Sequence, residues 1–237
     1  MDVRIAEVYR SFEGEGVFVG TSTLFVRLAG CPLRCFYCDT PDFIPLGSGK
    51  KYSIKVASEL IDEALGENVF KVNFTGGEPL WQSEAVAALA RHVQSKGILT
   101  YLESSCYDTG RFSQVLPYID ICKIEFKLKD AKALSLARHK RLIASEMGCL
   151  KAALAAGKKT YIKIVVTRKS EIAELEAIAA TAAAITGSER LEGFVLQPAW
   201  GVDQPSAEHL TALCAAVSPY HRQVRVIPQT HKILDIR

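Results

Sequence analysis

Three closely spaced cysteines constrain this chain more than any other feature of its sequence. Cys31, Cys35 and Cys38 lie in AGCPLRCFYCDT with the spacing Cys-x3-Cys-x2-Cys, so their thiolates can point into one small volume. Thiolates select zinc, copper(I) or iron–sulfur clusters. A structural zinc site takes four protein ligands, whereas the next cysteine or histidine after Cys38 is His92. Three thiolates on a four-iron cluster leave one iron open, so the spacing predicts a reactive iron–sulfur site rather than a set of inert buried thiols.

The composition predicts one cytoplasmic α/β domain over residues 1–237. The chain is 49% hydrophobic, which provides for a substantial core, and its net charge of +3 is too small to indicate nucleic acid or membrane binding. The other cysteines, at positions 106, 122, 149 and 214, are scattered, as is typical of a reducing compartment. The charged N-terminus does not resemble a signal peptide, and the apolar runs are too short to span a membrane.

The hydrophobic pattern alternates strands with helices, which favours a parallel sheet with helices on its outside. Strands are predicted over residues 3–9, 22–28, 69–74, 98–102, 121–126, 160–166, 193–196 and 224–227. Helices are predicted over residues 53–65, 83–96, 111–116, 144–156, 170–186 and 206–217, and the charged stretch 129–141 is predicted to be a loop or a short helix.

Polar residues follow the predicted strands at the edge where parallel sheets bind ligands. They are Thr75, Gly77, Glu78, Glu103, Lys127 and Gln197. A second polar stretch, SFEGEG, forms the turn between the first two strands. Arg27 is embedded in the apolar strand that follows, and a buried charge needs a partner. Glu13 or Glu15 of the turn is the predicted partner.

The cysteine spacing and the strand-end motif TGGEP (75–79) together resemble the radical S-adenosylmethionine (SAM) enzymes. This resemblance implies a partial (β/α)6 barrel and a 4Fe–4S cluster, held by the three cysteines, whose open iron chelates the amino and carboxylate groups of SAM. It also implies a set of SAM-binding residues: Tyr37, Cys38, Asp39, Gly77, Glu78, Glu103, Ser105, Glu125, Phe126, Lys127, Gln197 and Pro198.

SFEGEG with Arg27, and PQTHK (228–232) near the end of the sequence, resemble the 7-carboxy-7-deazaguanine synthase family. The resemblance implies a lyase that converts 6-carboxy-5,6,7,8-tetrahydropterin to 7-carboxy-7-deazaguanine with release of ammonia, as a precursor of queuosine or archaeosine. An N-terminal hairpin and a C-terminal tail would complete the substrate site. The implied substrate-binding residues are Phe12, Glu13, Gly14, Glu15, Arg27, Thr75, His231 and Arg237, the last through a terminal carboxylate.

The same resemblance implies Mg²⁺ held by Thr40, an electron donor of the flavodoxin or ferredoxin type, and a homodimer. The sequence departs from the family pattern at three places. Because these places belong to the implied substrate and SAM sites, they define the identity of the substrate less closely than the type of reaction. Glu13 stands where glutamine is usual, Glu-Ser-Ser-Cys (103–106) replaces Glu-Thr-Ser/Asn-Gly, and Glu125 and Phe126 stand where smaller residues are common.

Two alternatives remain open at the level of the sequence. A glycyl-radical activating enzyme shares the cysteine spacing but needs a large protein partner, and the sequence has no extension suited to docking one. An iron–sulfur electron carrier would need a fourth ligand, for which Cys106 is the nearest candidate.

Overall fold

The strands of the protein form one mixed sheet in the computed structural model, which describes residues 1–186 and 191–236. They are β1 (Asp2–Phe12), β2 (Ser22–Leu28), β3 (Lys50–Ser53), β4 (Lys71–Gly76), β5 (Leu99–Ser104), β6 (Ile121–Phe126), β7 (Lys159–Val166), β8 (Phe194–Pro198) and β9 (Val224–Val226). Their order is β3-β1-β2-β4-β5-β6-β7-β8-β9. β1 is antiparallel to both β2 and β3, and every pairing from β2 to β9 is parallel.

Helices follow the parallel strands in regular alternation. They are α1 (Ile54–Ala64), α2 (Ser83–Gln94), α3 (Thr109–Val115), α4 (Leu136–Ala155), α5 (Ile172–Thr186), α6 (Ala207–Val217) and α7 (Thr230–Ile233). In the described ranges, β2 and β4 to β8 are the six strands of successive strand–helix units, which confirms the predicted (β/α)6 arrangement. In this same part of the chain, no helix is long and apolar enough to cross a membrane.

Helix α4 differs most from its prediction, because it begins at Leu136 instead of near residue 144. Its first turns look like a charged loop in sequence, yet His139 and Leu142 are buried and continue the spacing of Glu146 and Cys149 farther along the helix. One buried stripe along an otherwise charged helix is sufficient to hold it on the sheet. The short edge strand β3 and the C-terminal helix α7 are also absent from the predicted elements.

The parallel strands bury apolar side chains toward the helices, and toward the interior of the curved sheet they bury polar side chains together with a small apolar cluster of Tyr101, Ile121, Tyr161 and Val195. On β4, Val72 and Phe74 pack in the main core, whereas Lys71, Asn73 and Thr75 bond to groups in the interior. This alternation follows from the two-residue period of a strand. It places the ligand-facing residues on the side of the sheet away from the helices.

The turn between β1 and β2, residues 13–21, inserts into this interior. Phe18 packs against the rings of Tyr101 and Tyr161. Gly16 has φ of +67°, and a Cβ there would collide with Tyr161, so the turn requires glycine at this position. The C-terminal segment, residues 228–236, covers the turn. Thr230 donates to the carbonyl oxygen of Gly14 from both its N–H, at 2.9 Å, and its hydroxyl, at 3.0 Å.

Candidate active site

A cavity of about 320 Å³ opens between the cysteine loop, the carboxyl ends of the strands, the inserted turn and the C-terminal segment. The predicted site residues that line it are Phe12, Glu13, Gly14, Glu15, Arg27, Cys31, Cys35, Tyr37, Cys38, Asp39, Thr40, Thr75, Gly77, Glu78, Glu103, Ser105, Glu125, Lys127, Gln197 and His231. They come from stretches spread over most of the chain. The fold therefore collects the predicted cofactor and substrate residues around one space.

Two predicted site residues are placed away from the cavity, and a third lies outside the described residues. Phe126 is fully buried in the main core on the helix side of β6. Pro198 follows Gln197 on β8, so strand alternation turns its ring away from the cavity that Gln197 lines. Arg237 lies outside the described residues, and its predicted contact with the substrate stays a prediction.

The three cysteines of the motif are half-buried free thiols beside the cavity. Their loop is attached to the segment before α4, because the N–H of Arg34 donates to Ala133 O and that of Phe36 donates to Ala131 O. Burial raises the pKa of the Cys31 thiol to about 12, so iron has to displace a proton when it binds there. The donor set of three accessible thiols fits a cluster with one open iron.

Cys106 is fully buried and is not among the residues that line the cavity. Its N–H donates to Ser104 Oγ at 2.8 Å, and its carbonyl accepts from the Ser145 hydroxyl at 2.8 Å. Burial raises the pKa of its thiol well above the ordinary value. This placement does not suit a fourth cluster ligand, which counts against the electron-carrier alternative.

Glu78 of the strand-end motif is held rigidly at the cavity wall, with 1% of its surface exposed. Its Oε1 accepts from Leu80 N and Ser104 Oγ, and its Oε2 accepts from the N–H and hydroxyl of Ser105, all at 2.5–2.9 Å. The unusual Ser-Ser pair therefore anchors this carboxylate. A Cβ on the preceding Gly77 would collide with the carbonyl of Gly30, so only glycine allows this close approach of two backbones.

Arg27 has a different partner from the one predicted. Its Nε donates to Glu7 Oε2 at 2.9 Å and its second terminal nitrogen donates to Tyr9 OH at 2.7 Å. The prediction of Glu13 or Glu15 was wrong, because Glu7 and Arg27 are directly paired across β1 and β2. Arg27 also stacks near the ring of Phe43, at 5.6 Å from the centroid. These contacts orient the guanidinium group at the cavity edge.

Buried lysines and glutamates alternate along the interior wall, and sequence reasoning missed two of these lysines. Lys123 donates to Glu125 Oε2 at 2.7 Å, Lys127 donates to the other oxygen of Glu125, and Lys163 is bonded to Glu15. Burial by itself raises the pKa of Glu125, but Lys123, Lys127 and Lys163 outweigh it and hold that pKa well below its usual range. The signal for Lys123 and Lys163 was present in the sequence, since a lysine inside an apolar strand demands a partner.

Glu15 is held in its ionised form in the same way. Burial raises its pKa, but the charges of Lys163 and Lys123 outweigh burial and lower the pKa to about 2. Its Oε1 also accepts from the amide of Gln229, at 2.6 Å, and from that of Gln197, at 3.2 Å. Gln229 belongs to the C-terminal segment, so this segment contributes directly to the order of the site.

Glu15, Asp39 and His231 place one possible metal-binding atom each within 4.8 Å of the others. The carboxylate of Glu15 is already bonded to Lys163 and Gln229, and Gln229 also donates to Asp39 at 3.3 Å. Gln229 of the C-terminal segment therefore joins the turn and the cysteine loop by hydrogen bonds.

Glu13 lies at the floor of the cavity and is 2% exposed. Its Oε2 accepts from Lys71 Nζ at 3.0 Å and from Asn73 Nδ2 at 3.2 Å. Burial, followed by the charge of Glu103, raises the pKa of Glu13 to about 7 although Lys71 opposes the shift. Lys71 is a third buried lysine that the sequence analysis did not single out.

Known proteins resemble this chain at two levels, its class and its family. Residues 12–140 match the sequence model of the 4Fe-4S single cluster domain. QueE from Escherichia coli superposes with a TM-score of 0.63 at 21% identity, covering 98% of this chain and 95% of that one. A radical SAM methyltransferase from Sphaerobacter thermophilus superposes with a TM-score of 0.61 at 15% identity, covering 88% and 66%. The family model places the chain among proteins with a single 4Fe–4S cluster, and the two superpositions show that it shares the fold of those structures.

The relatives that match over their full length identify the family. The chain is 31% identical to the 7-carboxy-7-deazaguanine synthase of Methanocaldococcus jannaschii, with 98% of this chain and 99% of the relative covered. It is also 31% identical to the synthase of Archaeoglobus fulgidus, with 100% of both chains covered. The chain belongs to the 7-carboxy-7-deazaguanine synthase family. Its cofactors are accordingly a 4Fe–4S cluster and SAM.

Proposed function

We propose that the chain is the radical SAM lyase that converts 6-carboxy-5,6,7,8-tetrahydropterin to 7-carboxy-7-deazaguanine and releases ammonia. The observation that carries this proposal is the single cavity in which the cysteine loop meets Arg27 and the inserted turn with Glu13 and Glu15. Cofactor residues alone would be shared with many enzymes of this fold. The charged residues Arg27, Glu13 and Glu15 suit a carboxylated pterin, so they favour the substrate of this family over other radical SAM substrates.

Cys31, Cys35 and Cys38 would hold the cluster, and the strand-end residues around Gly77 and Glu78 would hold the methionine end of SAM. When bound, the cluster and SAM supply the chemistry that removes a hydrogen atom from the substrate. The glycine at position 77 permits close approach of the ligand, and the fixed carboxylate of Glu78 suits an ammonium group. Tyr37 and Asp39, on the other side of the cavity, would meet the adenine end.

Arg27 would bind the carboxylate of the substrate. Its planar fork matches a carboxylate bidentately, and Glu7 and Tyr9 hold its other edge in place. The turn residues Glu13 and Glu15 would accept from the N–H donors of the pterin ring. His231 approaches from the C-terminal segment.

The lysines of the interior wall keep the acidic groups ionised while the substrate is bound. Lys163 contacts Glu15, and Lys123 contacts Glu125, so both buried carboxylates have low pKa values. An ionised acceptor forms stronger hydrogen bonds with ring N–H donors than a neutral one does. The protein therefore orients the pterin with charges that are already in place.

The Mg²⁺ prediction also belongs to this proposal. Thr40 lines the cavity directly after the cysteine loop, with its hydroxyl 3.9 Å from Cys38 Sγ. A hydroxyl is a hard oxygen donor suited to Mg²⁺, which otherwise keeps substrate oxygens and water. Thr40→Val preserves the shape and removes this donor, so turnover should depend less on added Mg²⁺ while cluster content is unchanged. Turnover that is insensitive to Mg²⁺ chelation in the wild-type chain would remove this role.

The remaining expectations concern the cellular setting. A flavodoxin- or ferredoxin-type donor is a reasonable reductant, since the cysteine loop lies near the surface and carries the exposed Phe36 and Arg34. The free thiols of all seven cysteines suit the cytoplasm. The homodimer inferred from the resemblance is tested by light scattering of the cluster-loaded protein.

Anaerobic turnover tests the proposed function. Reconstituted protein is incubated with SAM, a reductant and 6-carboxytetrahydropterin, and both 5′-deoxyadenosine and 7-carboxy-7-deazaguanine are measured by mass spectrometry. The expected result is formation of both products, and Cys35→Ala serves as the control. SAM cleavage without the deazaguanine would place the chain with a different radical SAM substrate. Reversible reduction without SAM cleavage would indicate an electron carrier.

A further inference from the structure

Lys71 is a fully buried lysine beneath the cavity that the proposed reaction does not yet use. It lies on the interior side of β4 and is 0% exposed. Its Nζ donates to Thr23 Oγ1 at 2.6 Å and to Thr21 Oγ1 at 3.1 Å, and it lies 5.0 Å from the centroid of the Tyr101 ring. Among the described residues, its ionic partner is Glu13. A charge buried this deeply is costly unless it is paired.

The contacts of Glu13 are asymmetric. Both of its hydrogen bonds with described side chains, from Lys71 and Asn73, go to Oε2. The residue also lines the cavity. One oxygen is thus fixed from below by Lys71, and the other is available to a ligand.

We propose that Lys71 is a positioning residue that holds Glu13 as a charged acceptor for the 2-amino-4-oxopyrimidine edge of the substrate. The inference rests on the proposed function. This edge presents the 2-amino group and N3–H, which are both donors. The remaining oxygen, Oε1, has two lone pairs and can accept from both donors, and a charged carboxylate oxygen accepts more strongly than a neutral amide oxygen does. The buried Lys71–Glu13 pair therefore selects pterins over rings that lack the amino group.

The electrostatics of the floor support this role. Five groups either shift the pKa of Glu13 or have their own pKa shifted by it. They are Lys71, Glu103, Glu15, Tyr101 and Tyr161. Lys71 is the cation among them, and it opposes the burial and the acidic neighbour that raise the pKa of Glu13 to about 7. Removal of Lys71 raises this pKa further. Glu13 then carries a proton at neutral pH. Its carboxyl group becomes a hydrogen-bond donor facing the edge of the substrate that also carries donors.

The first test uses Lys71→Met in the cluster-loaded enzyme. At neutral pH the KM for 6-carboxytetrahydropterin should rise at least about tenfold, because a recognition group is mismatched. The kcat, SAM binding and iron content should stay within about threefold of the wild-type values. At alkaline pH the KM should fall back toward the wild-type value as Glu13 loses its proton. An unchanged KM, or a raised KM that does not vary with pH, overturns the inference.

The double variant Glu13→Gln/Lys71→Met is the matched control. It removes both charges of the buried pair, so it should fold even if Lys71→Met alone does not. Its KM should lie within about twofold of that of Glu13→Gln alone, because Lys71 acts only through Glu13. A KM far above that of the single Glu13→Gln variant means that Lys71 serves the fold generally, and it contradicts the proposal.

A pair of inhibitors measures the selectivity directly. 6-Carboxypterin and 6-carboxylumazine differ in carrying an amino or an oxo group at position 2. The wild-type enzyme should prefer the pterin by at least about tenfold, and Glu13→Gln/Lys71→Met should reduce this preference to about twofold. Equal preference in the two enzymes overturns the assignment. If the wild-type chain does not turn over the carboxytetrahydropterin, the proposed function is wrong and the inference fails with it. If turnover is normal but the selectivity of the variant is unaltered, only the inference is wrong.

Discussion

The two faces of the parallel sheet are both buried, yet beside the cavity they carry opposite kinds of side chains. On β6, Ile124 and Phe126 are fully buried among apolar groups on the helix side. Lys123 and Glu125 alternate with them and are 6% and 7% exposed on the interior side. Burial alone therefore does not separate structural residues from functional ones in this protein. What separates them is whether a buried side chain needs a charged partner.

The energetic consequences of the two faces differ as well. Apolar burial on the helix side stabilises the fold roughly in proportion to the area removed from water. The interior ions lose hydration and recover it only through close pairing, so replacement by apolar residues is often neutral or stabilising in other proteins. Charges such as Glu125 and Lys163 line the cavity, which is consistent with the ligand site proposed there.

Cysteine replacements should give the largest contrast. Cys31→Ala, Cys35→Ala or Cys38→Ala should abolish the charge-transfer absorption of the cluster and all turnover, because each thiol is proposed to be one of three iron ligands. Cys122→Ala on the helix side of β6 should retain both, apart from a modest loss of stability for the removed sulfur. Absorption spectra and iron analysis measure the cluster content of each variant. Loss of the cluster in Cys106→Ala would contradict the three-ligand arrangement.

Two neighbouring substitutions on β6 compare the faces directly. Glu125→Gln removes the anion between three lysines, so the free energy of unfolding should fall by about 3 kcal/mol. Ile124→Val, one residue away on the helix side, should cost about 1 kcal/mol. Denaturant unfolding of both variants under identical conditions gives the two values. A smaller effect for Glu125→Gln than for Ile124→Val would mean that the interior charges are solvated rather than paired.

Arg27 replacements should affect the substrate more than the fold. Arg27→Ala should weaken pterin binding by about 2–5 kcal/mol, as is typical when one partner of a buried charge pair is removed. Arg27→Lys keeps the charge but loses the fork, so KM should rise by a smaller factor. SAM binding should stay near normal in both variants. If the thermal midpoint drops while the KM of the folded fraction is unchanged, Arg27 serves the pairing with Glu7 instead.

The pH dependence of stability should change with Glu13. Its pKa is raised by burial from 4.5 to about 7, so the folded chain binds a proton more tightly than the unfolded chain. The favourable contribution is fully present below about pH 4.5 and is lost as the pH rises through about 7, by at most about 3 kcal/mol. Glu13→Gln should flatten this slope in denaturant titrations across that window. An identical slope in both proteins would show that Glu13 stays ionised throughout.

Local patterns were sufficient for most of the fold. The alternation of short apolar runs with helical stripes predicted the parallel strands from β2 to β9 and the helices between them, because these periods depend on neighbouring residues. The same reasoning failed for the first turns of α4. There, a stripe containing His139 and Leu142 is hidden among exposed charges, and contact with the sheet stabilises a helix that composition alone does not favour.

The cysteine motif, the alternation of strands and helices, and the polar residues at strand ends could be recognised before folding is considered, because they depend on spacing along the chain. The pairing of the buried charges could not, because it depends on the folded geometry. Arg27 pairs with Glu7 across β1 and β2, Lys163 pairs with Glu15 of the inserted turn, and Lys71 reaches Glu13 from β4. A buried charge requires a partner, but its identity depends on strand register and on the insertion of the turn. Residues far apart in sequence acquire their function through that geometry.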